Sequence, residues 1–350
     1  TLSSAVSLAS SSSSSLIAST LPMEHLLFGR TGIEVSKLGL GTWQFGGQWG
    51  DEYSDDTALA IMRAAVEQGV NFFDTADIYG LGRSEELIGR FLRESKQRLF
   101  VATKLGRGPK PGWPDNFTPQ VVREHTEASL RRLGVDCLDL QQLHCVPKSE
   151  LERGVMFDTL DKLRDEGKLR FFGASVETVE EALVCLQNPH CASLQIIFNI
   201  FRQKPITDLF QQARLQRVAI IVRLPLASGL LSGKMTADRK FAETDHRNYN
   251  RDGQQFNVGE TFAGLPYERG LELVEEIRPL VPEGMSMTQM ALRWCMDYDA
   301  VSTVIPGARS VEQAIENSSA GHLPPLPEPL HDRLTALYHT SILPHIRGPY

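Results

Sequence analysis

Eight short apolar runs, separated by amphipathic stretches, leave this chain few folds to adopt. They are VSKLGLG (35–41), VNFFDTA (70–76), RLFVATKL (98–105), CLDLQQLH (137–144), LRFFGASV (169–176), SLQIIFNI (193–200), VAIIVRLPL (218–226) and AVSTVIPG (300–307). Several are almost continuous in apolar and β-branched residues, the pattern of parallel strands covered on both faces. Helix signals fill the gaps. Leu59, Met62 and Val66 form one stripe, with Asp55 and Asp56 as capping aspartates before it and Gly69 after it. Thr178–Glu181, Ser286–Gln289 and Ser310–Gln313 have capping-box form. Pro119 suits a first helical turn, and Gly134 ends the stripe through Val122, Leu130 and Leu133. Strands alternating with helices in this way predict an α/β fold, a (β/α)8 TIM barrel occupying 23–350 as a single domain.

Three stretches fall outside a bare barrel. Leu26 to Val35 carries a turn signal between two apolar pieces and reads as a hairpin plugging the N-terminal end. The long stretch after the seventh run, with KFAETDHRNYNRDGQQFNVGETF at its centre, reads as a loop that builds specificity at the C-terminal face. Residues 1–22 are serine-rich, carry no acidic or basic side chain and cannot form a packed core. Two readings of this leader stand: a plastid transit peptide lacking the usual arginines, or an upstream segment ahead of Met23. The chain is accordingly expected in the cytoplasm, or in the chloroplast stroma if the leader is a transit peptide.

A net charge of −7 argues against wrapping nucleic acid or an anionic membrane, so any phosphate site must be local. Five cysteines without CxxC spacing favour neither a disulfide framework nor a zinc knuckle and fit a reducing compartment.

In a barrel the C-terminal strand ends converge on one face. The residues there are Trp43 after the first strand, Asp74 and Tyr79 after the second, Lys104 at the third and His144 at the fourth. Ser175, Gln195, Arg223, Ser228 and Arg309 follow at the fifth to eighth. Taken singly, Asp74 can be a turn cap or half of a structural ion pair with Lys104, and Tyr79 and His144 can be satisfied core groups. Taken jointly they make a proton-transfer site suited to reducing a carbonyl. A tyrosine of pKa near ~10 is a poor reversible acid unless a cation such as Lys104 lowers it. Asp74 would hold Lys104 charged, and His144 would hydrogen-bond the carbonyl oxygen. Only His144 among the histidines stands at a strand end and no HxH pair occurs, so no metal site is expected.

The blocks NFFDTADIYGLGRSEELIG, VATKLG, SLRRLGVDCLDLQQLH, GKLRFFGASV, LPLASGLLSGK and VIPGARSVEQAIEN, in this order, resemble the signatures of the aldo-keto reductase family. The resemblance implies a catalytic tetrad of Asp74, Tyr79, Lys104 and His144 with Tyr79 as acid. It also implies NADPH bound across the barrel face without a Rossmann domain. Thr42 and Trp43 would belong to the cofactor face, with the carboxamide near Ser175 and Gln195. The pyrophosphate would lie near Pro225, Leu226, Ser228 and Leu230. The adenosine end would meet Gly307, Arg309, Gln313, Glu316 and Asn317, where a guanidinium beside a helix N-terminus suits a 2′-phosphate.

Two positions depart from the family pattern: Val176 stands where asparagine is usual, and Arg223 where many members stack an aromatic ring on the nicotinamide. The expected partner is a small carbonyl substrate, with no nucleic acid and no membrane, and with the oligomeric state open. Trp43, Trp49, Trp113 and the loop 234–262 are candidate substrate walls, and Arg247, Asn248, Asn250 and Arg251 would close over the cofactor or meet a polar substrate. The alternative reading is an NADPH-binding regulatory subunit of the potassium-channel β type.

Overall fold

The computed structural model describes residues 21–47 and 54–350. The leader up to Thr20, Trp49, Asp51 and Glu52 lie outside the described residues. The chain enters through a hairpin of β1 (His25–Leu27) and β2 (Glu34–Ser36), antiparallel with Leu26 opposite Val35. The predicted first run is therefore divided, because Val35 pairs with the hairpin and only its end joins the barrel. Eight parallel strands follow: β3 (Leu40–Gly41), β4 (Phe72–Asp74), β5 (Phe100–Leu105), β6 (Leu138–His144), β7 (Leu169–Ser175), β8 (Cys191–Ile197), β9 (Ala219–Arg223) and β10 (Val301–Val304). They pair in chain order from β3 to β10. Gly39 N–H donates to Val304 O and Gly41 N–H to Pro306 O, which joins the last strand to the first and closes the barrel.

The hairpin does plug one end. Phe28, in its turn, is wholly buried, with its ring centroid 5.6 Å from that of Phe72 and 5.2 Å from that of Phe100. Val35, Ala102, Leu140, Ala219, Ile221 and Ile305 complete this apolar cluster inside the barrel, distinct from the larger core between strands and helices. With that end filled, the converging polar side chains are left at the C-terminal mouth, the face on which such barrels build their sites.

Helix starts follow local chemistry, with two corrections. Thr178 and Ser286 form complete capping boxes with Glu181 and Gln289, and Thr118 caps a helix whose first residue is Pro119. Helix Asp55–Glu67, however, is capped by Ser54, whose side chain accepts from Thr57 N–H, and the two aspartates occupy its first turn. There they still favour the positive end of the helix dipole. Ser310 caps helix Val311–Ser319, but the Gln313 side chain accepts from Arg309 N–H rather than completing a box.

The long segment after β9 is packed onto the barrel rather than trailing over it. Asn250 is buried, donates to Thr261 Oγ1 and accepts from the N–H groups of Gln255 and Phe256. From outside, Arg347 donates to Gly264 O, Leu265 O and Asp252, tying the end of the chain to this loop. Among the described residues no helix is long and apolar enough to cross a membrane.

Candidate active site

Asp74 ends β4, His144 ends β6, and Lys104 lies next to the end of β5 between them. Tyr79 comes from the turn after β4, which packs tightly on the turn after β3. A Cβ on Gly46 would stand 2.6 Å from Gly80 N and 2.9 Å from Tyr79 C, so only glycine permits that approach. The Trp43 ring then stacks on Tyr79 with centroids 6.2 Å apart.

Lys104 is wholly buried, and its Nζ donates to Asp74 Oδ1 (2.5 Å), Thr75 O (2.8 Å) and the Tyr79 hydroxyl (3.2 Å). All three of its protons are thereby used. Asp74 Oδ2 accepts from Gln195 Nε2 (2.7 Å) and Gln142 Nε2 (3.3 Å). Such saturation is what allows an ion pair to persist in a dry interior.

Burial works against the Lys104 ammonium, yet Asp74 and Tyr79 outweigh it and raise its pKa. Tyr79 departs from expectation: burial raises its pKa, and although Lys104 pulls the other way the net shift is upward. The phenol is held as an acid. Burial first, then Arg107, Lys104 and Arg223, lower the His144 pKa well below the usual value, so its imidazole is neutral. Its Nδ1 is buried with no hydrogen-bond partner, and its ring lies edge-on to Tyr79 at 6.0 Å.

Above these groups opens a cavity of ≈ 910 Å³. Asp74, Tyr79, His144, Thr42, Trp43 and Gln195 line it, as do Arg223, Pro225, Leu226 and Ser228. Gly307, Arg309, Gln313, Glu316 and Asn317 also line it, Gly307 bridging to Gly41 on the first strand. Three of the residues expected in the tetrad or on the cofactor face do not line it. Lys104 acts from beneath Tyr79, Ser175 sits behind Gln195 with its Oγ 3.5 Å from Gln195 Oε1, and Leu230 is core.

The side chain of Gln195 is turned to Asp74. Glu316 pairs with Lys234 at 3.2 Å, and Asn317 donates to Gly307 O. Of the four polar residues named in the long loop, Arg247 alone lines the cavity, paired with Asp245 at 2.6 Å. Asn248 and Arg251 bond the loop's own carbonyls, and Asn250 organises its turn. Trp113 does line the cavity, its indole N–H bonded to Gly106 O.

Arg223 is engaged edge-on: Nη2 donates to Val176 O (3.2 Å) and Cys145 Sγ (3.5 Å), and Nη1 is 3.5 Å from Glu260 Oε1. It belongs to a group that sequence reading missed. Arg107 donates to Glu260 Oε1 (3.2 Å) and lies 3.5 Å from Glu177 Oε1. Burial would raise the Glu260 pKa, but Arg107 and Arg223 bring it below the usual carboxylate value. Burial and the Glu260 charge raise that of Glu177. Cys145, Glu177 and Glu260 place ligand atoms within 4.8 Å of one another. The two guanidinium groups already supply the positive charge a cation would bring, so this set suits ion pairs better than a metal. Arg107 and Glu177 could have been flagged as residues just past the ends of β5 and β7. Nothing in the sequence says that Glu260 folds back to them.

Over residues 37–339 the chain matches the Aldo/keto reductase family, and it belongs to that family. It is 30% identical over 306 residues to the aldo-keto reductase YhdN of Bacillus subtilis, covering 83% of this chain and 86% of that protein. The solved glycerol dehydrogenase of Gluconobacter oxydans superposes with a TM-score of 0.72 at 28% identity, covering 91% of this chain and 94% of the other. A probable voltage-gated potassium channel subunit beta of Oryza sativa is 28% identical over 330 residues, covering 88% of this chain and 94% of that one.

Proposed function

We propose that this oxidoreductase is an NADPH-dependent reductase of small aldehydes or ketones. The observation that carries the proposal is the geometry at Tyr79: a buried phenol facing a cavity, with a saturated ammonium 3.2 Å behind it and a neutral imidazole beside it. NADPH would supply the hydride that the carbonyl carbon receives.

The cavity has features that suit this cofactor. Leu224, Ala227, Ser228 and Gly229 all have positive φ (52°, 48°, 56° and 99°), a backbone form found at anion-binding concavities and ligand clamps. Lys234, Arg239, Arg247 and Arg309 add cationic side chains to the same lining. Beside Arg309 begins helix Val311–Ser319, whose N-terminus favours a phosphate. Pro225, Leu226 and Ser228 would hold the pyrophosphate, and Arg309 with Gln313 the 2′-phosphate end.

The chain's own residues then act on the carbonyl oxygen. The Tyr79 O–H donates its proton to it. Lys104 stabilises the phenolate left behind and is itself held charged by Asp74. Neutral His144 donates a hydrogen bond to the oxygen and fixes its direction. The five thiols are unpaired and four are buried, which fits a reducing compartment such as the cytoplasm.

The kinship with a channel β subunit favours a second reading, tight cofactor binding with little turnover. Following NADPH absorbance with a panel of aldehydes and ketones separates the two. Consumption of NADPH with alcohol formed in equal amount supports the reductase. Bound NADPH without turnover supports the regulatory subunit, and absence of binding refutes both.

A further inference from the structure

Resting on the reductase reading above, we propose that the ion-pair wall of Arg107, Glu177 and Glu260 selects neutral, hydroxylated carbonyl substrates over both alkyl carbonyls and oxo acids. The wall stands beside the catalytic pair, since Arg107 is among the charges acting on His144 and both residues line the one cavity. Its members differ in reach. Glu260 keeps only 4% of its side chain exposed, whereas Arg107 keeps 21% and Glu177 23%. Arg107 and Glu177 are therefore the pair a substrate would cover. Neither is loose: Asn257 Nδ2 donates to Glu177 Oε2 at 3.2 Å, and the Arg107 guanidinium lies 5.6 Å from the Phe256 ring centroid.

The chemistry of the pair separates three substrate classes. An alkyl chain laid over it strips water from a cation and an anion and returns no hydrogen bond. A hydroxyl group accepts from Arg107 and donates to Glu177, replacing the water it displaces. A carboxylate laid against this wall finds no uncommitted positive charge there, because its two guanidinium groups, Arg107 and Arg223, already face the two carboxylates Glu177 and Glu260. It would also stand beside the Glu177 charge.

The test uses three four-carbon ketones with NADPH: butan-2-one, 1,3,4-trihydroxybutan-2-one and 2-oxobutanoate. The wild-type kcat/KM for the trihydroxyketone should exceed that for butan-2-one by on the order of 100-fold or more, as sites built to bind a hydroxyl reject analogues lacking it. Intrinsic carbonyl reactivity contributes to that ratio, so the decisive quantity is its change in Glu177→Ala. The ratio should fall about tenfold or more, mainly through a higher KM for the trihydroxyketone, while 2-oxobutanoate improves relative to it. If Glu177→Ala does not fold, Glu177→Leu reads the same ratio with the side-chain size roughly kept and the hydrogen-bond acceptor removed. An unchanged ratio in the variant, or a wild-type preference for 2-oxobutanoate, overturns the assignment of the wall. Turnover of butan-2-one as good as that of the trihydroxyketone also overturns it, and leaves the reductase reading standing. No turnover of any carbonyl with NADPH bound overturns that reading and this one with it.

Discussion

Removing one oxygen atom, in Tyr79→Phe, separates chemistry from architecture in this site. The hydroxyl accepts one of the three hydrogen bonds of Lys104; Asp74 and Thr75 O take the other two and would remain. The ring keeps its stack on Trp43. The structural loss is therefore a single bond to an ammonium that stays paired, about 1 kcal/mol, which for a chain of this size lowers Tm by at most about 2–4 °C.

The catalytic loss is far larger. A positioned general acid contributes about 10²–10⁴ in rate, or about 2.7–5.5 kcal/mol at 1.36 kcal/mol per decade. Turnover measured by NADPH absorbance should fall by that factor, while fluorescence titration shows NADPH still bound and calorimetry shows a nearly native Tm. A Tyr79→Phe enzyme within tenfold of wild type, with cofactor bound, would refute Tyr79 as the acid. The raised phenol pKa adds a direction: reduction in the wild type should persist well past pH 8, because the acid is lost only as pH climbs through a value above the ordinary one near ~10.

Three further outcomes are expected. His144 keeps a depressed pKa when folded, so below about pH 6.5 the unfolded chain binds a proton the native state does not. Native stability should then fall by up to about 1.4 kcal/mol per pH unit as pH drops from there, and urea unfolding of His144→Gln should show a shallower slope. Arg309→Ala should weaken NADPH binding by about 10-fold or more, the worth of a charged hydrogen bond, and move NADH affinity far less; equal losses for both would remove Arg309 from the 2′-phosphate. Phe28→Ala empties the barrel plug between Phe72 and Phe100 and should cost about 3–5 kcal/mol by denaturant titration, while NADPH binding, proposed for the opposite mouth, should be retained.

The barrel was legible because its signals are local and periodic. Each strand run is a few residues of buried sequence, and Thr118, Thr178 and Ser286 cap their helices through atoms three residues away. The convergence of Asp74, Lys104 and His144 was legible for a related reason. Once the runs are strands of one parallel barrel, the residue type at each C-terminal end is fixed by chain position, and Asp74, Lys104 and His144 must converge.

Summed and long-range terms were not legible. The lysine's effect on Tyr79 could be foreseen in sign, but burial, which exceeds it, depends on everything packed around the phenol. Gln195 stands where sequence placed it, yet whether its amide serves Asp74 was decided across the barrel axis. Glu260 reaches Arg107 and Arg223 only through the course of a long irregular loop, which carries no period to read. Sequence by itself thus determined the elements, their order and the reactive groups at one face, because these follow from short-range geometry. Tertiary structure alone decided the proton affinities and the ion-pair cluster of Arg107, Glu177, Arg223 and Glu260, because desolvation and ion pairing depend on neighbours remote along the chain.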